Sequence, residues 1–155
     1  MVIYDRGQLG QAAKKSGFVR DTFEKVLRLK EILVYLNTDE YLHEHLALKG
    51  GTAINMTIFD LPRLSVDLDL DFTPNLSLEE MKTAREMISE ALKKYMLEEG
   101  YTLSASSRYC HSLDSMLFQH QNAGGNRDSI KIGSKLFFAF SYFCTYRAKD
   151  SDKYF

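Results

Sequence analysis

The sequence has little cysteine, no apolar run of membrane-spanning length and almost no net charge. Two cysteines, Cys110 and Cys144, are too few for a disulfide framework or a cysteine-based zinc site. The longest nearly apolar run, residues 136–146, is about half of the roughly 20 residues that a membrane helix needs. The N-terminal segment MVIYDRGQLG lacks a basic start followed by an apolar core, so no secretory signal is predicted. Together these absences predict a cytoplasmic protein without a membrane segment.

The formal net charge of −1 does not by itself indicate a nucleic-acid-binding protein. Lysine and arginine outnumber acidic residues between positions 14 and 30, and we interpret this excess as a solvated helix face. The length of 155 residues, with 45% hydrophobic and 26% charged residues, is typical of one soluble domain.

Several common catalytic and binding motifs are also missing. No serine lies in a nucleophile elbow, and no Gly-Lys-Ser/Thr follows the Gly50-Gly51 turn, which excludes a Walker loop. The four histidines lack the i, i+4 spacing of a helical metal site and are interpreted as surface or hydrogen-bonded core residues; they are His43, His45, His111 and His120. Without a serine or cysteine nucleophile, metal-assisted phosphoryl-type transfer is the chemistry to expect.

What is present is an alternating acidic segment. Asp67, Asp69 and Asp71 alternate with Leu68, Leu70 and Phe72, so a strand would place the carboxylates on one face and the apolar side chains on the other. Three like charges spaced about 7 Å apart repel one another unless a cation neutralises them. The pattern therefore favours a Mg²⁺ site over the alternative of a solvated acidic edge strand.

An EF-hand is excluded although the acids alternate as at the start of its loop. The sixth and twelfth places of that loop need glycine and glutamate, whereas this sequence has Phe72 and Leu78 there.

A glycine turn precedes the acidic segment. Residues 46–48 are apolar and can form a strand, and residues 53–59 can form a short helix, so Gly50, Gly51 and Thr52 are predicted at a strand-to-helix junction. Such a junction presents backbone amides to an anion, and glycine lets phosphate approach the main chain. Together with the acids, the turn predicts a nucleoside triphosphate site.

The remaining elements alternate between helix and strand. The sequence predicts a helix from a capping box at Asp21 and Glu24 to about Leu36, with an apolar stripe of Phe23, Val26, Leu27, Leu33 and Leu36. A second capping box, Ser77 and Glu80, predicts a helix to about Glu99, ended by Gly100. Strands are predicted at residues 101–106, 113–119 and 129–132, with a turn at 122–126. The fold class is therefore α+β (α/β), a small mixed sheet packed by helices.

The string LALKGGTAINMTIFDLPRLSVDLDLDF resembles the AbiEii/AbiGii-type nucleotidyltransferase toxins, a family of the DNA polymerase beta-like nucleotidyltransferase superfamily. The similarity continues through FEKVLRLKEIL upstream and GNRDSIKI downstream, so it covers roughly residues 20–132. The resemblance implies a polymerase-beta-like nucleotidyltransferase core at 1–132, followed by a diverged or truncated tail at 133–155.

The resemblance also implies roles for individual residues. Asp67 and Asp69 match the catalytic pair that holds two Mg²⁺ ions about 3.5–4 Å apart. Asp71 lies one step beyond the pair on the same face, and two interpretations of it stay open: an indirect contribution to the metal site, and a simply solvated acid. The residues assigned to substrate binding are Lys49, Gly50, Gly51, Thr52, Arg63, Ser65 and Lys131. An equal alternative for Arg63 and Ser65 is a role as loop anchors, and for Lys49 that of a strand-end lysine with its charge in solvent. The implied reaction transfers NMP from an NTP substrate to an RNA acceptor such as a tRNA. The implied setting is a toxin–antitoxin or phage-defence system, with an antitoxin as partner.

One departure from the family pattern concerns a third carboxylate. The family continues after the segment matching SIKI with an acid, whereas here Gly133, Ser134 and Lys135 follow Ile132. Asp128 and Asp114 are the alternative candidates for the third acid. The abrupt change is typical of a reading-frame shift or a premature stop. Two hypotheses remain open: an active transferase, and an impaired domain that binds nucleotide or antitoxin.

Overall fold

The computed structural model of the protein describes residues 3–51, 67–110 and 113–135. Its helices are α1 (Arg6–Lys15), α2 (Arg20–Thr38), α3 (Glu40–His45) and α4 (Leu78–Glu98). Its strands are β1 (Leu46–Lys49), β2 (Asp67–Phe72), β3 (Thr102–Leu103), β4 (Arg108–Tyr109), β5 (Leu113–Gln121) and β6 (Arg127–Lys135). These elements confirm the mixed helix-and-sheet fold.

The six strands form one mixed sheet in the order β1-β2-β6-β5-β3, with β4 also paired to β5. The β1–β2 and β5–β6 pairs are antiparallel, whereas β2 and β6 run parallel. The register aligns Lys49 of β1 with Asp69 of β2, and Asp69 with Gly133 of β6. The acidic strand therefore lies between two strands whose residues flank its carboxylates.

The hydrophobic core lies between one face of the sheet and helices α2 and α4. It contains Leu29, Ile32 and Leu36 from α2, and Ala84, Ile88, Leu92 and Met96 from α4. The sheet contributes alternate side chains, among them Leu68, Leu70, Phe72, Met116, Phe118, Ile130 and Ile132. Because strand residues alternate between faces, the residues between these point to the opposite face, which carries the acids.

Helix α4 is predicted correctly because its local signals agree with its packing. The Ser77 side chain accepts from the Glu80 amide and Glu80 accepts from the Ser77 amide, which completes the capping box. Gly100 follows the helix with φ of +78°. The helix packs against the core through Ala84, Ile88, Leu92 and Met96.

Helix α2 differs from the expectation at its start and along its buried side. Val19 is the N-cap and makes no side-chain cap hydrogen bond, so the predicted capping box is wrong. The Glu24 carboxylate instead accepts from Arg28 and from the Ala123 amide in the β5–β6 turn, each at 2.8 Å. This contact brings the polar Glu24 and Arg28 into the interior, and Leu36 is the only member of the predicted stripe that is fully buried.

The lengths of three strands differ from the predicted lengths. Strands β5 and β6 are longer than predicted because they pair with each other along nine residues, whereas β3 is only two residues long. Helix α1, capped by Asp5, is not predicted from the sequence. None of the described helices is long and apolar enough to cross a membrane.

Candidate active site

The carboxylates of Asp67, Asp69 and Asp71 lie on one face of β2, as the alternation predicts. Leu68, Leu70 and Phe72 are buried on the other face, whereas the acids are partly exposed. The apolar side chains thus anchor the strand in the core and leave the carboxylates accessible.

The two outer acids are paired with lysines from the neighbouring strands. The Lys131 amino group of β6 lies 3.9 Å from a carboxylate oxygen of Asp67. The Lys49 amino group of β1 forms an ion pair with Asp71. In the described part of the chain, no ion pair reaches the central Asp69. The Asp69 carboxylate therefore differs from those of Asp67 and Asp71, each of which has a lysine nearby.

Glycines flank the Asp69 carboxylate on both sides. A Cβ atom added to Gly50 would lie 2.7 Å from Asp69 Oδ2, and one added to Gly133 would lie 3.2 Å from Asp69 Oδ1. The first distance is too short for any side chain, and the second is tight. Gly50 also has φ of +74°, a conformation that glycine adopts without strain. A side chain at Gly50 would therefore displace the Asp69 carboxylate, whereas one at Gly133 would require it to move by only a few tenths of an ångström.

The predicted strand-to-helix junction begins where expected. Strand β1 ends at Lys49, and Gly50 and Gly51 open a helical turn. The rest of the predicted nucleotide-binding group, Thr52, Arg63 and Ser65, lies outside the described residues, as does the predicted helix at 53–59.

The donor set of this site suits Mg²⁺, which prefers oxygen ligands and is commonly held by one or two carboxylates together with substrate phosphates. Asp67 and Asp69 supply two carboxylates on one face, and the glycines leave room beside Asp69. Within the described ranges, no group of three or more histidine, cysteine, aspartate or glutamate residues is arranged to hold a metal ion. The described residues therefore offer carboxylate ligands to a metal ion but form no closed protein cage around it.

Neither candidate for the third acid lies on this face, so both predictions are wrong. Asp114 is buried on the helix-covered face, where Arg85 of α4 donates to its carboxylate from Nε at 3.0 Å. Asp128 shares that face and pairs with Lys25 of α2 at 2.8 Å. The physical reason is the alternation of side chains along a strand. Asp114 and Asp128 lie an even number of residues from buried side chains of their strands, so they point to the same face as those side chains.

Asp114 and Asp128 each form an ion pair with a basic residue of a helix. Burial alone would raise the pKa of Asp128, but its contacts with Lys25 and the Ser129 amide outweigh burial and hold that pKa below its usual value. The contact with Asp114 is the main reason that the pKa of Arg85 is raised. These pairs fasten helices α2 and α4 to the sheet.

Strand β6 continues past Ile132, and this places Gly133 in the site. Gly133 is the register partner of Asp69, and Lys135 is that of Asp71. The position where the resemblance leads one to expect an acid is therefore beside the central carboxylate, on the same face. The sequence shows that the family pattern changes after SIKI. It does not show that Gly133 lies beside Asp69, which results from the parallel pairing of β2 with β6. Residues 136–155 lie outside the described part of the chain.

Among the histidines that the structure describes, His120 is the one whose surroundings differ from the expectation of a surface or hydrogen-bonded residue. It is buried beneath the Tyr101 ring, with ring centroids 5.3 Å apart. Neither of its ring nitrogens has a hydrogen-bond partner among the described residues. Burial, with a contribution from Arg28, lowers the pKa of His120 below its ordinary value. His120 points to the helix side of the sheet and takes no part in the acidic site.

Comparison with known proteins identifies the family of the chain. A family model described as the nucleotidyl transferase AbiEii toxin of a type IV toxin–antitoxin system matches residues 31–132. No curated protein matches the chain. The matched segment holds β1, the acidic strand and β6 up to Ile132, which are the three strands that build the site. Because the match extends over more than half of the 155 residues, the chain belongs to the AbiEii family of nucleotidyltransferase toxins.

Proposed function

We propose that this nucleotidyltransferase uses Mg²⁺ to transfer NMP from an NTP to an RNA acceptor, with Asp67 and Asp69 as metal ligands. The observation that carries the proposal is the position of the Asp69 carboxylate, between two glycines and without a lysine partner in the described residues. A carboxylate in that position is available to a metal cation, whereas the Asp71 carboxylate is already paired with the Lys49 amino group.

In this proposal, different residues of the site bind the metal ion and the triphosphate. Asp67 and Asp69 hold the metal side of the site, and Gly50 and Gly51 present backbone amides to the triphosphate. Lys131 stands beside Asp67, close enough for its charge to meet a phosphate bound there. When bound, Mg²⁺ would supply electrostatic stabilisation of the transferring phosphoryl group. The protein's contribution is therefore mainly positioning and charge neutralisation.

The family description supports a partner protein, and the acceptor is part of the proposal. A toxin of a type IV toxin–antitoxin system implies an antitoxin, and RNA is the acceptor that we propose. Transfer can be tested by incubating the purified chain with total tRNA, Mg²⁺ and each of the four α-labelled NTPs. We expect incorporation from at least one NTP and its loss in EDTA.

Matched variants connect that activity to the site. Asp67→Asn and Asp69→Asn should each abolish incorporation while leaving the fold intact, because removing one of three neighbouring charges relieves repulsion in the metal-free protein. Asp128→Asn is the matched control, since it removes a carboxylate from the opposite face of the same sheet. Equal incorporation by Asp69→Asn and the wild type would contradict the assignment.

A second candidate function is a domain that binds nucleotide or antitoxin without efficient transfer. It is favoured by the position of Asp114 and Asp128 on the helix-covered face. Neither of these two acids can then join the β2 carboxylates as the third acid of a transferase site. Titration calorimetry with NTP distinguishes the two functions. Mg²⁺-dependent NTP binding without any incorporation would support the binding domain.

A further inference from the structure

The ion pair between Lys49 and Asp71 does not follow the strand register. Lys49 is paired across the β1–β2 ladder with Asp69, and Asp71 is paired with Ala47. Directly opposed residues have Cβ atoms about 4.5–5.5 Å apart, whereas diagonal neighbours are about 7–8 Å apart. Lys49 nevertheless contacts the diagonal Asp71. Its long side chain can reach either carboxylate, so the choice of partner has a consequence for the site.

That choice determines which carboxylate is left for a metal ion. A lysine beside Asp69 would neutralise it and would have to be displaced when a divalent cation binds. With Lys49 on Asp71 and Lys131 near Asp67, the two lysines occupy the ends of the acidic row. The Lys49–Asp71 pair is also the less exposed of the two, with side-chain exposures of 30% and 39% against 47% for both members of the other pair.

We propose that Asp71 is a positioning residue that holds Lys49 away from Asp69 and thereby keeps Asp69 available to the metal ion. The inference rests on the proposed metal site and adds to it a role for an acid that binds no metal. Loss of the Asp71 charge would release Lys49, and the nearest remaining carboxylate on its face is its register partner Asp69.

The inference predicts a specific pattern among four proteins. Mn²⁺ binding to the full chain, without nucleotide, is measured by electron paramagnetic resonance for the wild type, Asp71→Asn, Lys49→Met and the double variant. A partly exposed ion pair changes an equilibrium by a factor of roughly 1.5 to 5, so Asp71→Asn should weaken Mn²⁺ binding by about that factor. Lys49→Met should bind at least as tightly as the wild type. The double variant should bind as tightly as Lys49→Met, because no lysine is left to compete.

Simple loss of negative charge gives a different pattern. If Asp71 attracted the metal only through its charge, Asp71→Asn would weaken binding by the same factor whether lysine or methionine occupies position 49. A structural role would likewise leave the double variant weakened. Glu79→Gln removes the acid of another lysine pair, on the surface of α4, and serves as the control expected to bind like the wild type.

The outcomes separate this inference from the proposed function. No Mn²⁺ binding by the wild type would overturn the metal site, and the role of Asp71 with it. Two results would overturn the positioning role alone. One is wild-type binding that is unchanged in Asp71→Asn, and the other is a double variant that binds more weakly than Lys49→Met by the same factor that separates Asp71→Asn from the wild type. A double variant that binds as tightly as Lys49→Met, together with Asp71→Asn binding more weakly than the wild type, is the result that supports it.

Discussion

Replacing Gly50 by alanine tests whether the space beside Asp69 matters for the metal site. Two effects are expected from the structure. The backbone has φ of +74°, and an L-residue in the left-handed region costs about 1–2 kcal/mol. The new Cβ would also lie 2.7 Å from Asp69 Oδ2, so the carboxylate has to move. We expect Gly50→Ala to lose about 1–2 kcal/mol of unfolding free energy and to bind Mn²⁺ about tenfold more weakly, which is about 1.4 kcal/mol.

Two other glycines separate these effects. Gly17 has the same φ of +74° but nothing within 4 Å of an added Cβ, so Gly17→Ala should reproduce the backbone strain and leave Mn²⁺ binding unchanged. Gly133 is not among the glycines with positive φ, and its added Cβ meets Asp69 Oδ1 at 3.2 Å. Gly133→Ala should therefore weaken Mn²⁺ binding by less than Gly50→Ala does, with little change in backbone strain.

Urea unfolding and Mn²⁺ titration on the same preparations measure the two quantities. For a chain of this size, each kcal/mol also lowers Tm by roughly 2–4 °C, which provides a second measure of stability. The reasoning is refuted if Gly50→Ala and Gly17→Ala lose equal stability and both bind Mn²⁺ like the wild type. In that case Gly50 would be a turn residue without influence on Asp69.

Two further predictions concern groups on the helix-covered face. Because the folded protein lowers the pKa of His120, the unfolded chain binds a proton more readily, so the unfolding free energy should fall as the pH drops below about 6.5. His120→Phe should reduce that fall in urea titrations between pH 7 and 5, and an unchanged pH dependence would contradict the argument. Arg85→Met leaves the buried Asp114 carboxylate without its arginine and should lower the unfolding free energy by about 3–5 kcal/mol. Adding Asp114→Asn should recover part of the loss, and no recovery would show that the Arg85–Asp114 contact is not the cause.

Local signals account for the elements that sequence reasoning identifies correctly. The alternation from Asp67 to Phe72 specifies a strand with one buried and one acidic face, since side chains on a strand alternate with a period of two. The Ser77 capping box and Gly100 define the ends of α4 for similar reasons. The β5–β6 hairpin is recognisable from its turn residues, although its full length depends on pairing.

The mistaken elements are those whose residues find distant partners. Glu24 has the spacing of a capping residue from Asp21, yet its carboxylate binds the Ala123 amide, 99 positions away. Asp114 and Asp128 qualify as candidates for a third acid by residue type, but their side chains pair with Arg85 and Lys25 on the helix side. Residue type and local spacing do not specify which helix will cover a strand.

The sequence by itself determined the acidic face, the glycine turn before it and the family to which they point, because these depend on neighbours along the chain. Only the tertiary structure decided which residues surround Asp69. Gly50 and Gly133 are far apart in the chain, and they meet at one carboxylate because β2 pairs with β1 on one side and with β6 on the other. The diagonal contact of Lys49 with Asp71 has the same origin, since register and sheet order arise from packing of the whole core.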